Sequence, residues 1–151
     1  MAKVGIFDTP PRRWFSYDND TEVDLEFISK ERMGKIVTKA DSAAKKVGGA
    51  QGVIYDMFLG KAAAHGWRHK DQEKNPSHPG LLLPNGNPIP FSEENRNLLM
   101  RSCAEFSTFV FRTCTDSAKF LEETVLLDDQ KTLDELLAEV DLKEDGEPKN
   151  D

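Results

Sequence analysis

The stretch "SEENRNLLMRSCAEFSTFVFRTC", residues 92–114, carries a wide apolar stripe. Its apolar residues recur at three- and four-residue steps, which is the spacing that places side chains on one face of a helix. Ser92 is suited to cap this helix, and Glu93 and Glu94 lie near the positive end of its dipole. We therefore predict one continuous helix here, at the centre of the core or of an interface. The stripe consists of Leu99, Cys103, Phe106, Val110 and Cys114, widened by Leu98, Phe109 and Phe111.

Two more helices are predicted earlier in the chain. The first begins at the N-cap residue Ser29 and ends at Gly48-Gly49. The second runs from about Gly52 to His65 and is ended by Gly66. The predicted apolar stripes are Met33, Ile36, Val37, Ala40, Ala44 and Val47 on the first helix, and Ile54, Phe58, Ala62 and His65 on the second.

A β-hairpin is predicted over residues 12–28. Apolar and acidic residues alternate strictly from Thr21 to Ile28, which is the pattern of a strand with one buried face. Trp14 to Tyr17 supplies the partner strand, and the three residues at 18–20 supply the turn. These two strands are the only ones that the sequence predicts.

The connection between the second and third helices is long and rich in proline. Five of the eight prolines lie in "NPSHPGLLLPNGNPIP", and Asn85-Gly86 within it is a strong turn signal. Connections of this length are typically functional or mobile loops.

Acidity is concentrated in the last part of the chain. From Glu122 onward there are twelve Asp and Glu against three Lys, a net charge of −9, so residues 1–121 carry +2 of the total of −7. A body this close to neutral does not suit nucleic acid, which needs a basic face to neutralise phosphates. We predict a mainly α fold with two parts: a helical domain over residues 1–127 with the N-terminal hairpin, and an acidic segment over 128–151. That segment has one short helix beginning at Thr132 and then a disordered tail.

Compartment and membrane association are also constrained. No apolar run approaches the ~20 residues of a membrane-spanning helix, and the N-terminus lacks the apolar region of a secretory signal. Cys103 and Cys114 are eleven residues apart, about 16 Å along a helix axis, which is too far for a disulfide. We predict two buried thiols in a reducing cytoplasm, with no membrane partner.

All three histidines lie in "HGWRHKDQEKNPSHPG", residues 65–80. His65 and His69 are spaced for a zinc site on one helical turn, with His78 as a third ligand. Gly66 between them argues against the helix, and no Glu follows the first histidine as in zinc proteases. We therefore predict no metal ligand, no catalytic residue and no cofactor, and solvated histidines instead.

The sequence resembles the small tail assembly chaperones of long-tailed bacteriophages and prophages. The likeness rests on "LGKAAAHGW", where a helix ends in Gly-Trp, and on "NGNPIPFSEENRNLLM", where a Gly and Pro turn leads into a capped helix. The opening "RRWFSYDNDTEVDLEFISKERMGKI" is similar to the family's short hairpin followed by a helix. The resemblance covers roughly residues 12–112.

This resemblance implies a non-enzymatic assembly factor in the cytoplasm of the bacterial host. It implies self-association, and binding of the tape measure protein while tail tube protein subunits polymerise around it. Apolar helix faces are the expected contact surface. The residues predicted to contact a partner are Trp67, Phe106, Phe109, Val110, Leu133, Leu136 and Leu137.

Other interpretations stay open. Trp67 is also explained as a core aromatic that packs the long connection down. A basic cluster at Lys35, Lys39, Lys45 and Lys46 allows a small regulatory or nucleic-acid-associated prophage protein, and the histidine loop allows a metal-dependent hydrolase. The family often adds a longer product by ribosomal frameshifting, and codons for Pro148, Lys149 and Asn150 can together contain a slippery heptamer, so we expect such a product here.

Overall fold

The part of the chain that the structure describes contains both helices and short strands. The computed structural model describes residues 2–76 and 78–121, and the last five of these, 117–121, are helical. The predicted boundary at 127/128, the helix from Thr132, the acidic tail, Leu133, Leu136, Leu137 and Lys149-Asn150 lie outside the described residues. In chain order the elements are β1 (Arg12–Ser16), β2 (Thr21–Glu26), α1 (Lys30–Val47), α2 (Gln51–Ala63), β3 (Ala64–His69), α3 (Glu93–Ser102) and α4 (Ala104–Cys114).

The predicted hairpin is confirmed. β1 and β2 pair antiparallel, with Phe15 opposite Val23. Their turn is held by the Asp18 carboxylate, whose Oδ1 accepts the amide hydrogens of Asp20 and Thr21 at 2.9 and 2.7 Å. Val23 and Leu25 are fully buried, as the alternating pattern predicts.

A third strand was not predicted from the sequence. β3 pairs antiparallel with β2, so the sheet order is β1-β2-β3 and the hairpin does not hold the only strands. The predicted helix to His65 ends instead at Ala63, and the next residue already belongs to the strand. The pairing provides hydrogen-bond partners for the backbone groups on the open edge of β2. It also places Trp67 opposite Val23 and brings Arg68 to 2.6 Å from Glu22. This tertiary pairing overrides the weak strand preference of "AHGWRH".

The caps of α1 and α3 are those that the sequence predicts. Ser29 Oγ accepts the amide hydrogen of Arg32 at 3.2 Å, and Ser92 Oγ accepts that of Asn95 at 3.0 Å. At the other end of α1, Gly48 has φ +67, the left-handed conformation in which glycine has no steric penalty, and its amide bonds to Ala44.

The apolar stripes of α1 and α2 are only partly buried. Ile36 and Ala40 are buried on α1, whereas Val37 and Val47 are exposed. On α2 the buried residues are Leu59, Gly60 and Ala63. The predicted stripe of Ile54, Phe58, Ala62 and His65 is half-buried. Because α2 is apolar on most of its surface, the sequence pattern alone did not identify the face that packs on α3 and α4.

The predicted helix over 92–114 is broken at Cys103, whose φ of −117 and ψ of 102 are extended. Met100 packs against Gly60 of α2, while Phe106 packs against Trp67 of β3. Six positions of an unbroken helix correspond to about 600° of rotation, which would leave these two side chains roughly 120° apart. The break at Cys103 allows both Met100 and Phe106 to be buried, although it interrupts the regular helix there.

The described residues share a single core. It is enclosed by one face of the sheet, by the helices α2, α3 and α4, and by Phe120. Phe120 contacts Phe15 and Phe27 edge to face, with ring centroids 5.1 and 5.4 Å apart. Both cysteines are free, but only Cys114 is buried, so the prediction of two buried thiols holds for one. The described fold combines helices with a small antiparallel sheet, which confirms the mainly helical prediction only in part.

No helix in the described ranges combines the length and the apolar character that crossing a membrane requires.

Candidate functional site

A concave apolar surface lies between the long connection and the junction of α3 and α4, and the cavity that it forms has a volume of about 740 Å³. We call it the apolar groove. Its volume is within the ~300–1,000 Å³ that is typical of ligand and cofactor sites. Leu82 and Leu83 are unusual in being 52% and 39% exposed. The apolar lining consists of Tyr17, Leu81, Leu82, Leu83, Pro84, Ile89, Leu98, Leu99 and Phe106.

The connection forms a small turn of its own above the groove. Leu83 and Ile89 donate amide hydrogen bonds to Asn87 and Leu81, at 2.8 and 3.0 Å. The Asn85-Gly86 turn is confirmed, since Gly86 has φ +89 and Asn85 Oδ1 accepts the amide hydrogen of Asn87. These hydrogen bonds within the connection fix the backbone around the leucines.

Two buried contacts attach the connection to the sheet. The Trp67 indole Nε1 donates a hydrogen bond to the Ile89 carbonyl at 2.8 Å. The Thr21 hydroxyl, fully buried, donates to the Gly80 carbonyl at 2.5 Å. Because each is a buried polar group with one partner from the connection, release of the connection would leave both without that partner. The groove is therefore a preformed surface.

The broken helix supplies the opposite wall. Leu98 and Leu99 reach the groove from the last turns of α3, and Phe106 from the first turn of α4. Tyr17 closes the floor against Phe106 and Phe109, with ring centroids 5.6 and 5.0 Å apart. Burial, followed by nearby negative charge such as that of Glu105, raises the pKa of Tyr17 to about 12. The hydroxyl is therefore neutral near pH 7.

The charged groups at the rim are acidic. Asp18 and Asp20 reach it from the hairpin turn and Glu105 from α4, and the two rings of His69 and His78 complete the rim. An apolar floor with a carboxylate rim suits a partner segment that is apolar on one face and basic beside it. The same rim repels phosphate groups.

Of the seven residues predicted to contact a partner, the structure describes Trp67, Phe106, Phe109 and Val110. Trp67, Phe106 and Val110 are buried, at 5%, 1% and 0% exposure, and of these three only Phe106 lines the apolar groove. Phe109 is half-buried beside Tyr17. The alternative role of Trp67, packing the connection down, is what the structure shows, since its ring also contacts Phe91 at 4.9 Å.

Sequence reasoning missed the leucines of the connection. The signal was present in "LLLP", because three consecutive apolar residues in a polar, proline-rich loop have no core to enter by periodicity. Exposed runs of this kind are unfavourable unless they serve a function. A search for helical periodicity does not detect them, because they lie outside any apolar stripe.

The three histidines are divided between the two faces of the sheet. A bulge near His65 shifts the register between Asp24 and Leu25, and the His65 ring bonds Glu26 at 2.9 Å. His69 and His78 approach each other, with ring centroids 5.1 Å apart. In the described residues no group of three or more His, Cys, Asp or Glu is placed to hold a metal ion.

The hydrogen bonds of His69 and His78 explain why the pair is a poor metal site. Their Nδ1 atoms accept the amide hydrogens of Asp71 and Gly80, at 3.0 and 2.9 Å. A neutral ring that accepts at Nδ1 carries its proton on Nε2, so neither nitrogen offers a free lone pair.

We expect chelators to leave the melting temperature unchanged. The triple replacement of His65, His69 and His78 by Gln should lower stability by about 0.5–1.5 kcal/mol for each hydrogen bond that is lost. Thermal melts of both proteins with and without a chelator test this. A chelator-induced decrease that occurs in the natural protein and is absent from the triple variant would show that the histidines bind metal.

The fold and the groove together define a small helix-and-sheet domain with a preformed apolar groove. Comparisons with family models, curated proteins and solved structures found no match to this chain.

Proposed function

We propose that this protein is a tail assembly chaperone of a long-tailed bacteriophage or prophage. In this role it is a non-enzymatic factor in the host cytoplasm that binds the tape measure protein while tail tube subunits polymerise. The observation that carries the proposal is the apolar groove with its acidic rim. The resemblance of residues 12–112 to this family supplies the identity of the partner.

Binding of an amphipathic helix is the interaction that the groove suits best. A partner helix would insert the apolar side chains of one face between the connection and α3, in the manner of other helix-in-groove complexes. Leu82 and Leu83 would lose water on binding, and each fully buried leucine stabilises a complex by about 1.5–3 kcal/mol. Lys or Arg next to that face would meet Asp18, Asp20 and Glu105.

Self-association belongs to the same proposal. Val37 and Val47 on α1 and Val53 on α2 are exposed. They lie on helices that do not line the apolar groove, so a contact between copies there leaves the groove free for the partner. A homo-oligomer would display several grooves to one long tape measure protein, which raises the effective affinity of each.

Co-expression with the tape measure protein encoded beside the gene tests the proposal. We expect the soluble fraction of that partner to rise, because its apolar helix faces are covered during synthesis, and we expect the two proteins to co-purify. Co-expression with an unrelated small acidic protein is the control. Equal insolubility of the partner in both cases would remove the main support for the proposal.

A further inference from the structure

A second groove lies between α1 and α2, away from the apolar groove. We call it the basic groove. Its volume is about 410 Å³, its floor is Ile36, Phe58 and Ala62, and its rim carries Lys35, Lys39 and Lys61. Ile36 is buried, while the other two floor residues are half-buried. An apolar floor between three ammonium groups is suited to a segment that has an apolar face with acidic residues on its flanks.

The rim lysines have no partner of their own within the described ranges, 2–76 and 78–121. Arg32 at one end of the groove is already paired with Glu26, at 2.7 Å. Lys45, further along α1, lies 3.5 Å from Asp41. Lys35, Lys39 and Lys61 make no ion pair with any described residue. Their charges are therefore available to an acidic occupant.

We propose that residues 132–141 of this same chain dock in the basic groove. Their sequence, "TLDELLAEVD", has apolar residues at helical spacing and four acidic residues with no Lys or Arg. A helix of this length is about 15 Å long. The stretch of α1 from Arg32 to Lys39 rises about 10 Å, which such a helix covers. The residues that enter the groove are Leu133, Leu136, Leu137 and Val140, and those that flank this apolar face on a helix and meet the lysines are Asp134, Glu139 and Asp141.

The chain leaves the described part at a point from which the groove is within reach. Phe120 packs edge to face against Phe27, and Phe27 lies three residues before α1 begins at Lys30. Ten residues, 122–131, then separate the described body from the docking segment. Ten residues span up to about 33 Å when extended, whereas Lys39 lies about 15 Å along α1 from its start. Connection within one chain gives the segment a high effective concentration at the groove.

Zero-length carbodiimide cross-linking of the full chain tests the proposal. This reagent joins a lysine to a carboxylate only when the two are in contact. Equal amounts of natural-abundance and nitrogen-15-labelled chain are mixed, so that cross-links within one chain carry a single isotope. We expect single-isotope cross-links from Lys35, Lys39 or Lys61 to Asp134, Glu139 or Asp141. Lys3, Lys46 and Lys70 serve as internal controls for exposed lysines elsewhere.

Leucine replacements show whether the apolar face is responsible. The triple variant Leu133→Ser, Leu136→Ser, Leu137→Ser should reduce these cross-links about tenfold or more, because the buried leucines account for most of the attraction. The matched control, Leu126→Ser, Leu127→Ser, Leu142→Ser, removes three leucines outside the docking segment and should leave them unchanged. Neither variant alters a residue of the described body, so we expect the fold of that body to be unchanged.

Three results would overturn the proposal. Mixed-isotope cross-links would show that the occupant belongs to a second copy. Equal cross-linking of Lys3, Lys46 and Lys70 would show a diffuse attraction between the acidic segment and any lysine. Cross-links that are insensitive to Leu133→Ser, Leu136→Ser, Leu137→Ser would show that no apolar face is inserted. The experiment contains no tape measure protein, so its outcome is independent of the proposed chaperone function.

Discussion

Replacement of Phe106 by Ala should lower the free energy of unfolding by about 3–5 kcal/mol, the range for truncation of a buried aromatic residue. The ring is 1% exposed and lies between Tyr17 and Trp67, each with its centroid 5.6 Å away. Its loss would leave a cavity under the apolar groove. Because a domain of this size is stable by only about 5–15 kcal/mol, the variant should be visibly destabilised.

Phe111 provides the matched control for this measurement. It is on the same helix and makes the same chemical change on replacement by Ala, but it is 43% exposed. We expect its replacement to cost less than about 1 kcal/mol. Denaturant unfolding followed by circular dichroism measures both. Equal losses would mean that Phe106 is not the buried side chain described above.

The second large effect is expected at Gly80, where the connection crosses β3. Its φ of +100 disfavours any residue with a side chain, and a Cβ atom there would lie 2.7 Å from the backbone carbonyl of Arg68. Backbone atoms of a paired strand cannot move aside as a flexible side chain can. Gly80→Ala should therefore combine backbone strain of about 1–3 kcal/mol with detachment of the connection.

Gly86→Ala isolates the backbone strain from the close approach. Gly86 has φ +89, but a Cβ atom there would meet nothing within 4 Å. It should therefore show only the strain, about 1–2 kcal/mol. Denaturant unfolding gives the difference between the two variants, and Trp67 fluorescence reports detachment, since its indole bonds Ile89. Identical stabilities would contradict the packing of Gly80 on β3.

Features of the fold that depend on neighbouring residues were predictable from the sequence. The hairpin, the caps at Ser29 and Ser92, the left-handed Gly48 and the turn at Gly86 each follow from a few residues in succession. Their physical causes, side-chain hydrogen bonds to amides and the steric freedom of glycine, act within one or two turns. Features with such short-range causes can therefore be recognised from the neighbouring residues in the sequence.

The errors arose where distant parts of the chain decide the outcome. β3 forms because β2 has an open edge, which the sequence "AHGWRH" does not disclose. The helix over 92–114 breaks because Met100 must meet α2 and Phe106 must meet β3, while periodicity favoured a single stripe. The apolar groove is a product of both features, so the sequence could indicate an apolar contact surface but not its location.

Retention of the tape measure protein by two double variants is the most direct test of the apolar groove as its binding site. Leu82→Asp, Leu83→Asp places two carboxylates on exposed groove positions, and Val4→Asp, Ile6→Asp places two on exposed positions near the N-terminus, outside the apolar groove and outside α1 and α2. Each variant is co-expressed with the partner as the full chain, and the amount of partner that co-purifies is measured. We predict that the first variant loses about tenfold or more of the bound partner and that the second retains it. Equal retention by both, or loss only in the variant near the N-terminus, would contradict the assignment of the groove.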